Sequence, residues 1–300
     1  MLSIRDKILL FPLWLLSLLS LEVLYVLSWM IYCIIYYIAG YRKKVVFGNL
    51  RKSFPDKSEK EIKILAKKFY LHLCDYFFET LYMLNMSDKE VKRRYKPLNP
   101  ELIEELYAKG KNAVVVASHY GNWEWAACEW IRMPYKTIGI YKPLSNKLFD
   151  NFLLHLRKRY GSPVEPMKHT LRAILESKKQ GDTFILYLIG DQRPMKSEIH
   201  YWTKFMNQDT PLITGPEKLA KKFDLAVVFM DVTQKKRGFY EINYRLISEN
   251  PKETNEFEIT EKYIRLVERQ IERKPELYLW SHKRWKHKRE NISSQTPVKE

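Results

Sequence analysis

Cysteine is scarce in this chain. Cys33, Cys74 and Cys128 are widely spaced and odd in number among 300 residues. That excludes a disulfide framework, gives no paired thiolate spacing for zinc, and fits a reducing compartment. No G-x-S-x-G elbow follows an apolar run, so the serine nucleophile of an α/β hydrolase is missing. The other histidines (His72, His155, His169, His200, His282 and His287) form no ligand pattern with His119, so no metal is expected. There is no internal repeat, no low-complexity segment and no recognised nucleic-acid motif, and nucleic acid is not an expected partner. Acidic residues are in deficit: 35 Asp and Glu face 52 Lys and Arg, a net charge of +17. Such a charge calls for an anionic partner, whether nucleic acid, membrane surface or acidic protein.

What the chain has in quantity is aromatic and apolar side chains. Twenty tyrosines and eight tryptophans suit a protein that meets lipid or long apolar ligands. Ile8 to Ala39 is almost wholly apolar, interrupted by Pro12 and Glu22. Residues 1–41 therefore read as a membrane-anchoring segment containing one transmembrane helix, straight or broken at those two residues. Its length, with no small-x-small site after it, argues against a cleaved signal peptide. Arg42, Lys43, Lys44, Arg51 and Lys52 follow with no acid between Gly40 and Pro55. The positive-inside bias puts the remaining chain on the cytoplasmic side, with this cluster against anionic headgroups. Residues 42–290 read as the cytoplasmic domain, and 291–300 as a flexible tail.

Within that domain Ser58 and Glu61 form a capping box ahead of a long amphipathic helix carrying Ile62, Leu65, Phe69, Tyr76 and Leu81. Strand and helix patterns then alternate. Candidate strands are 113–118, 137–141, 184–189, 225–232 and 239–246, the last alternating enough to be an antiparallel edge. Candidate helices are 100–109, 122–132, 147–160, 171–179, 215–222 and 259–273. Continuous apolar strands between helices predict an α/β fold with a mostly parallel central sheet buried on both faces. The first strand delivers His119, and Glu124 lies five residues later, across Gly121 and Asn122. A histidine with a carboxylate orienter at a strand-to-helix switch can activate a hydroxyl. Without a protein nucleophile, that hydroxyl belongs to a substrate. Backbone N–H groups near Gly121–Trp123 are candidate oxyanion donors. A glutamate in a helix's first turn is also favoured by the helix dipole without any catalysis.

Four more polar clusters surround this pair: Tyr141-Lys142-Pro143 with Asn146 and Asp150, Arg157-Lys-Arg159 with Gly161, Asp191-Gln192-Arg193-Pro194, and Trp280-Ser-His-Lys-Arg284. At successive strand ends they describe one lined cleft. This ordered series, together with Gly40-Tyr-Arg-Lys-Lys, Asn49-Leu-Arg-Lys-Ser-Phe-Pro55, Thr210 and Gly215-Pro216, resembles the bacterial lipid A biosynthesis acyltransferases of lauroyl/myristoyl type. The resemblance runs from about Gly40 to Lys288.

The resemblance implies a glycerol-phosphate-acyltransferase-like fold in a single-pass bacterial inner-membrane enzyme. Such an enzyme moves a fatty acyl group from acyl-carrier protein to a hydroxyl of a phosphorylated lipid A precursor. The carrier thioester is then a co-substrate, and no cofactor is expected. His119 and Glu124 would be the catalytic pair, with Glu124 holding the imidazole. Arg157, Arg159, Asp191, Gln192, Asn122, Tyr141 and Lys142 would bind substrate, and the basic run Lys283–Arg289 would meet headgroups or carrier protein. Two positions depart from the pattern. Lys142 stands where the family usually has Arg, which cannot be replaced by Lys in a bidentate contact. The usual Phe-Phe-Gly before the threonine reads Lys204-Phe-Met-Asn-Gln208 here. Other readings are an acyltransferase of the same fold acting on an ornithine-type or glycerol lipid, and a non-catalytic basic scaffold.

Overall fold

The computed structural model describes residues 3–161 and 163–289; the expected tail, 291–300, lies outside the described residues. In chain order the helices and strands are α1 (Ile4–Ser17), α2 (Leu21–Cys33), α3 (Lys43–Ser53), α4 (Glu59–Tyr82), α5 (Asp88–Arg94), β1 (Tyr95–Pro97), α6 (Glu101–Ala108) and β2 (Ala113–Ala117). Then come β3 (Lys136–Tyr141), α7 (Lys147–Lys158), β4 (Val164–Pro166), α8 (Thr170–Gln180), β5 (Phe184–Ile189), β6 (Tyr201–Phe205), β7 (Gln208–Leu212), α9 (Gly215–Phe223), β8 (Ala226–Lys236), β9 (Phe239–Ser248) and α10 (Glu258–Arg273).

Seven strands form one sheet in the order β1-β9-β8-β2-β5-β3-β4. Only β8 and β9 run antiparallel; the other neighbours are parallel. The α/β expectation holds, and each expected helix or strand is found to within about a turn, except two. The segment 239–246 pairs antiparallel with β8 but is not the edge, because β1 lies outside it with Tyr95 opposite Tyr240. The segment 122–132 is no α-helix: it becomes a tighter helix from Glu124 to Arg132, with Asn122 Oδ1 accepting the Trp125 amide at 3.2 Å at its start.

β2 is buried at every position, between β5 and β8. Alternation is absent from its sequence for that reason. The Ser58–Glu61 capping box forms as expected: Ser58 N donates to Glu61 Oε2 at 2.8 Å, and α4 then runs for 24 residues. Tyr70 and Phe78 of α4, and Met83 just after it, are buried as well. β6 and β7 form a separate hairpin whose two turn residues, Met206 and Asn207, both have positive φ, 50° and 62°. That is the mirror-type two-residue turn that matches strand twist, and it falls where the chain departs from Phe-Phe-Gly.

The N-terminal apolar run is broken at Leu18–Ser20, where Ser20 caps α2. Pro12 sits inside α1 without ending it. α2 continues through a wider-turned segment, Ile34–Ala39, and stops at Gly40 with φ 61°. Leu21–Ala39 makes 19 residues, long and apolar enough to cross a membrane. One face (Leu21, Leu24, Ser28, Tyr32) is buried, packing on α4. The other leaves Val26, Trp29 and Ile38 exposed.

Candidate active site

Parallel register explains the centre of the site. β2 and β5 are neighbours with Ala117 opposite Ile189. Two residues beyond each lie His119 and Asp191. Asp191 Oδ1 is 2.7 Å from His119 Nδ1, and its Oδ2 accepts the His119 backbone N–H at 3.2 Å. On the ring's other side Gln192 Nε2 lies 3.0 Å from His119 Nε2. An amide N–H there makes Nε2 the acceptor and puts the ring proton on Nδ1, donated to Asp191; the network assigns this tautomer. Asp191 is buried, which pushes its carboxyl up, but the adjacent His119 ring and its backbone N–H outweigh burial and hold it below the usual range. Ser118 is no nucleophile beside this ring, since its Oγ donates to Gln270 Oε1 at 2.5 Å inside the core.

Glu124 does not hold the imidazole. Its two oxygens accept a bidentate pair from Arg157, 2.8 Å from Nε and 2.7 Å from Nη2, with the Tyr76 hydroxyl at 3.4 Å. Burial raises its carboxyl, yet the Arg157 guanidinium brings it below the ordinary value. The five-residue spacing had paired Glu124 with His119; the tight helix starting at Glu124 turns it instead toward α7, whose last turn supplies Arg157. Trp123 fills the space between the two pairs, stacked on Tyr76 at 4.0 Å and edge-on to His119 at 5.2 Å. Arg157 Nη1 has no partner among the described residues.

The other expected residues divide. Tyr141 ends β3, and its ring centre lies 5.8 Å from the Arg157 guanidinium. Asn122 is buried and donates to Glu79 Oε2 at 2.9 Å, so it shapes the loop from within. Lys142 is exposed. Arg159 is not brought to His119: its Nη1 and the Tyr160 hydroxyl cover the Met83 carbonyl at the end of α4. Asn146 caps α7, accepting the Leu148 amide at 3.0 Å, and Asp150 accepts the Leu144 amide at 2.9 Å. The Gly121 N–H, a candidate oxyanion donor, is given to Leu277 O at 3.0 Å.

The C-terminal basic run is not a solvated face throughout. Leu279 N donates to His119 O at 3.1 Å, laying residues 277–285 beside the His119 loop. Asn49 Nδ2 donates to the carbonyls of Trp280 and His282 at 2.8 and 3.0 Å, which joins two motifs more than two hundred positions apart. Arg284 is 1% exposed and donates to Pro211 O, and Trp285 Nε1 donates to Thr210 Oγ1 at 2.7 Å. Neither of these residues is free to meet a headgroup. Sequence reasoning missed the roles of Tyr76 and Glu79. Glu79 lies on the buried face of α4, one turn after Asp75, and two acids among its apolar residues were the available signal.

A His–carboxylate pair at the ends of adjacent parallel strands, with no serine or cysteine bonded to the ring among the described residues, is an arrangement suited to taking a proton from a hydroxyl. The chain belongs to the bacterial lipid A biosynthesis acyltransferases, whose family profile matches residues 5–287. It is 25% identical over 257 residues to the lipid A biosynthesis lauroyltransferase of Escherichia coli K12, covering 84% of this chain and 82% of that protein. A lipid A biosynthesis acyltransferase of Haemophilus influenzae Rd is 23% identical over 247 residues, covering 82% and 78%. The chain is accordingly an acyltransferase of lipid A biosynthesis.

Proposed function

We propose that the chain transfers a fatty acyl group from the thioester of acyl-carrier protein to a hydroxyl of a phosphorylated lipid A precursor. The observation that carries this reading is the His119 ring held between Asp191 at Nδ1 and Gln192 at Nε2, an arrangement that leaves Nε2 as the base. The acceptor hydroxyl takes the position of the Gln192 amide at Nε2 and gives up its proton as its oxygen attacks the thioester carbonyl. Asp191 fixes the tautomer and stabilises the imidazolium. The carbonyl oxygen becomes negative, and the unengaged Nη1 of Arg157 supplies the donor for it, with Glu124 holding the guanidinium in place. The tetrahedral species collapses, the new ester forms, and the carrier thiolate leaves, taking the proton from His119. No acyl-enzyme is required.

The exposed apolar residues of α1 and α2 hold the enzyme at the inner membrane, with the domain on the cytoplasmic side. The net charge of +17 attracts both an acidic carrier protein and a phosphorylated lipid.

The test is a paired assay in detergent micelles. Wild type and His119→Ala each receive acyl-carrier-protein thioester and a phosphorylated lipid A precursor, and product is read by mass spectrometry. The expected loss in the variant is on the order of 10²–10⁴ in turnover. Transfer to a crude lipid extract but not to the precursor would move the acceptor to another lipid. Near-normal transfer by His119→Ala would sink the mechanism.

A further inference from the structure

Glu79, on α4, is fully buried and belongs to none of the sequence clusters around His119. Its carboxylate nevertheless gathers three separate parts of the chain. Tyr25 of α2 donates its hydroxyl to Oε1 at 2.7 Å. Asn122, between His119 and Glu124, donates to Oε2 at 2.9 Å. Tyr240 of β9 donates to the same oxygen at 2.8 Å. The Glu79 backbone carbonyl accepts Trp125 Nε1 at 2.9 Å, and Asn122 Oδ1 in turn accepts the Trp125 amide. The loop from His119 to Trp125 is thus closed onto Glu79 by two of its residues.

The fit on both sides is close. Gly121 has φ 62°, and a Cβ there would lie 3.2 Å from the Tyr240 ring, so the loop rests on the same tyrosine that reaches Glu79. On the other side, a Cβ on Gly238 would lie 2.3 Å from the Tyr25 hydroxyl. Asp75, one turn before Glu79, repeats the arrangement: it accepts Ser28 Oγ of α2 at 2.5 Å and pairs with Arg237, whose guanidinium lies 3.9 Å from the Tyr25 ring centre. A purely apolar contact would bury α2 with less demand, since a buried carboxylate is costly unless each oxygen is satisfied. A carboxylate shared by α2 and the loop makes the position of one depend on the other.

We infer that Glu79 is a positioning residue for acyl transfer, fastening the His119–Glu124 loop to α2, so that the N-terminal apolar helix is part of the active-site scaffold and not a tether. This rests on the reading of His119 as the reacting base. The consequence is that removing one hydroxyl from α2, far from the chemistry in sequence, slows the chemical step.

Two substitutions in the full-length protein test it, in the same micellar assay. Tyr25→Phe removes only the hydroxyl. Glu79→Gln keeps the shape but sets an amide N–H against at least one of the donors. The expected result is a kcat lowered about tenfold for Glu79→Gln and about threefold for Tyr25→Phe, with KM within about twofold, since loop misplacement affects the transition state. The double variant should be no slower than Glu79→Gln alone, because both act through one carboxylate. Melting temperatures are recorded alongside. Lowered melting temperature with unchanged kcat, or losses that multiply in the double variant, would overturn the inference. Should Glu79→Gln not fold, the kcat of Tyr25→Phe decides. An inactive His119→Ala beside a normal Tyr25→Phe would remove the role of Glu79 and leave the base standing; an active His119→Ala would remove the base itself.

Discussion

β2 and α2 are both almost pure apolar runs, and they end in opposite circumstances. Val114, Val115 and Val116 are at most 1% exposed, closed in by β5 and β8. Val26 and Trp29 of α2 are 60% and 56% exposed, because α2 has α4 along one side only. A buried strand spends its apolar surface on the core. A half-covered helix keeps that surface for a second apolar medium, each Å² left in water costing about 25 cal/mol. Two polar groups of α2 make the same point from the other side: Tyr25 and Ser28 bond to Glu79 and Asp75 of α4, while Glu22, in the first turn, is exposed. One run aims a histidine, the other leaves an apolar face uncovered, and Glu79 lies between them.

The comparison sharpens first at the two carboxylates of the site. Asp191 bonds the ring, whereas Glu124 bonds Arg157. Asp191→Asn keeps the shape and loses control of the tautomer, so kcat should fall on the order of 10³–10⁴. Glu124→Gln should cost about 10² in kcat through a displaced Arg157. It should also cost about 3–5 kcal/mol of stability, because a guanidinium is left unpaired in a buried place. Single-turnover transfer and thermal melts separate the two. A larger kcat loss for Glu124→Gln than for Asp191→Asn would return the imidazole to Glu124, as the spacing in sequence had it.

How much of this was legible follows from the range of each signal. The α/β pattern, the capped α4 and the strand ends were readable because period and capping are local. The His119–Asp191 pair required knowing that β2 and β5 are adjacent and in register, which strand order alone decides. Glu124 misled because its pairing with His119 assumes an α-helix over 122–132, and the chain takes a tighter helix there. β1 and β4 are three residues each and end in proline, too short for any period. Arg159 and Asn146 matched the family's clusters, yet here they cover helix ends, a use that residue type cannot distinguish from substrate binding. Glu79 stood in plain view as one of two acids on the buried face of α4, but its three donors come from α2, the His119 loop and β9, all distant in sequence.

The contrast between the two runs gives a smaller effect. Val115→Ala, inside β2, should cost about 2 kcal/mol in a thermal or urea melt while leaving membrane binding intact. Val26→Lys with Trp29→Ser should do the reverse, leaving the melt near wild type and weakening binding to vesicles of anionic phospholipid about tenfold or more, since a lysine in a helix buried in lipid costs about 2.5–3.5 kcal/mol. Co-sedimentation reads the second arm. Unchanged vesicle binding would mean that the exposed face of α2 is not what meets the bilayer.

The smallest effect is a slope against pH. Burial pushes the Glu79 carboxyl up to about 7, against the combined pull of Asn122, Tyr25 and Tyr240, with Asp75 raising it further. Between the ordinary carboxylate value of 4.5 and about 7, the folded chain holds a proton there that the unfolded chain has released. Its contribution to stability is therefore present at the acid end of that window and is lost as pH rises through about 7. Asp191 and Glu124 have the opposite sign, lying below their usual values, and they contribute until pH falls under the carboxylate range. Arg237, paired with Asp75, stays charged throughout. Burial holds the Glu129 carboxyl up at about 7 as well, so a slope of the same sign remains when Glu79→Gln removes its own share; the variant's urea midpoint should change less between about pH 5 and pH 8 than that of wild type, by at most about 1.4 kcal/mol per pH unit. Parallel slopes would mean that the three donors keep Glu79 ionised across the range, and that α2 and the His119 loop share a permanent carboxylate.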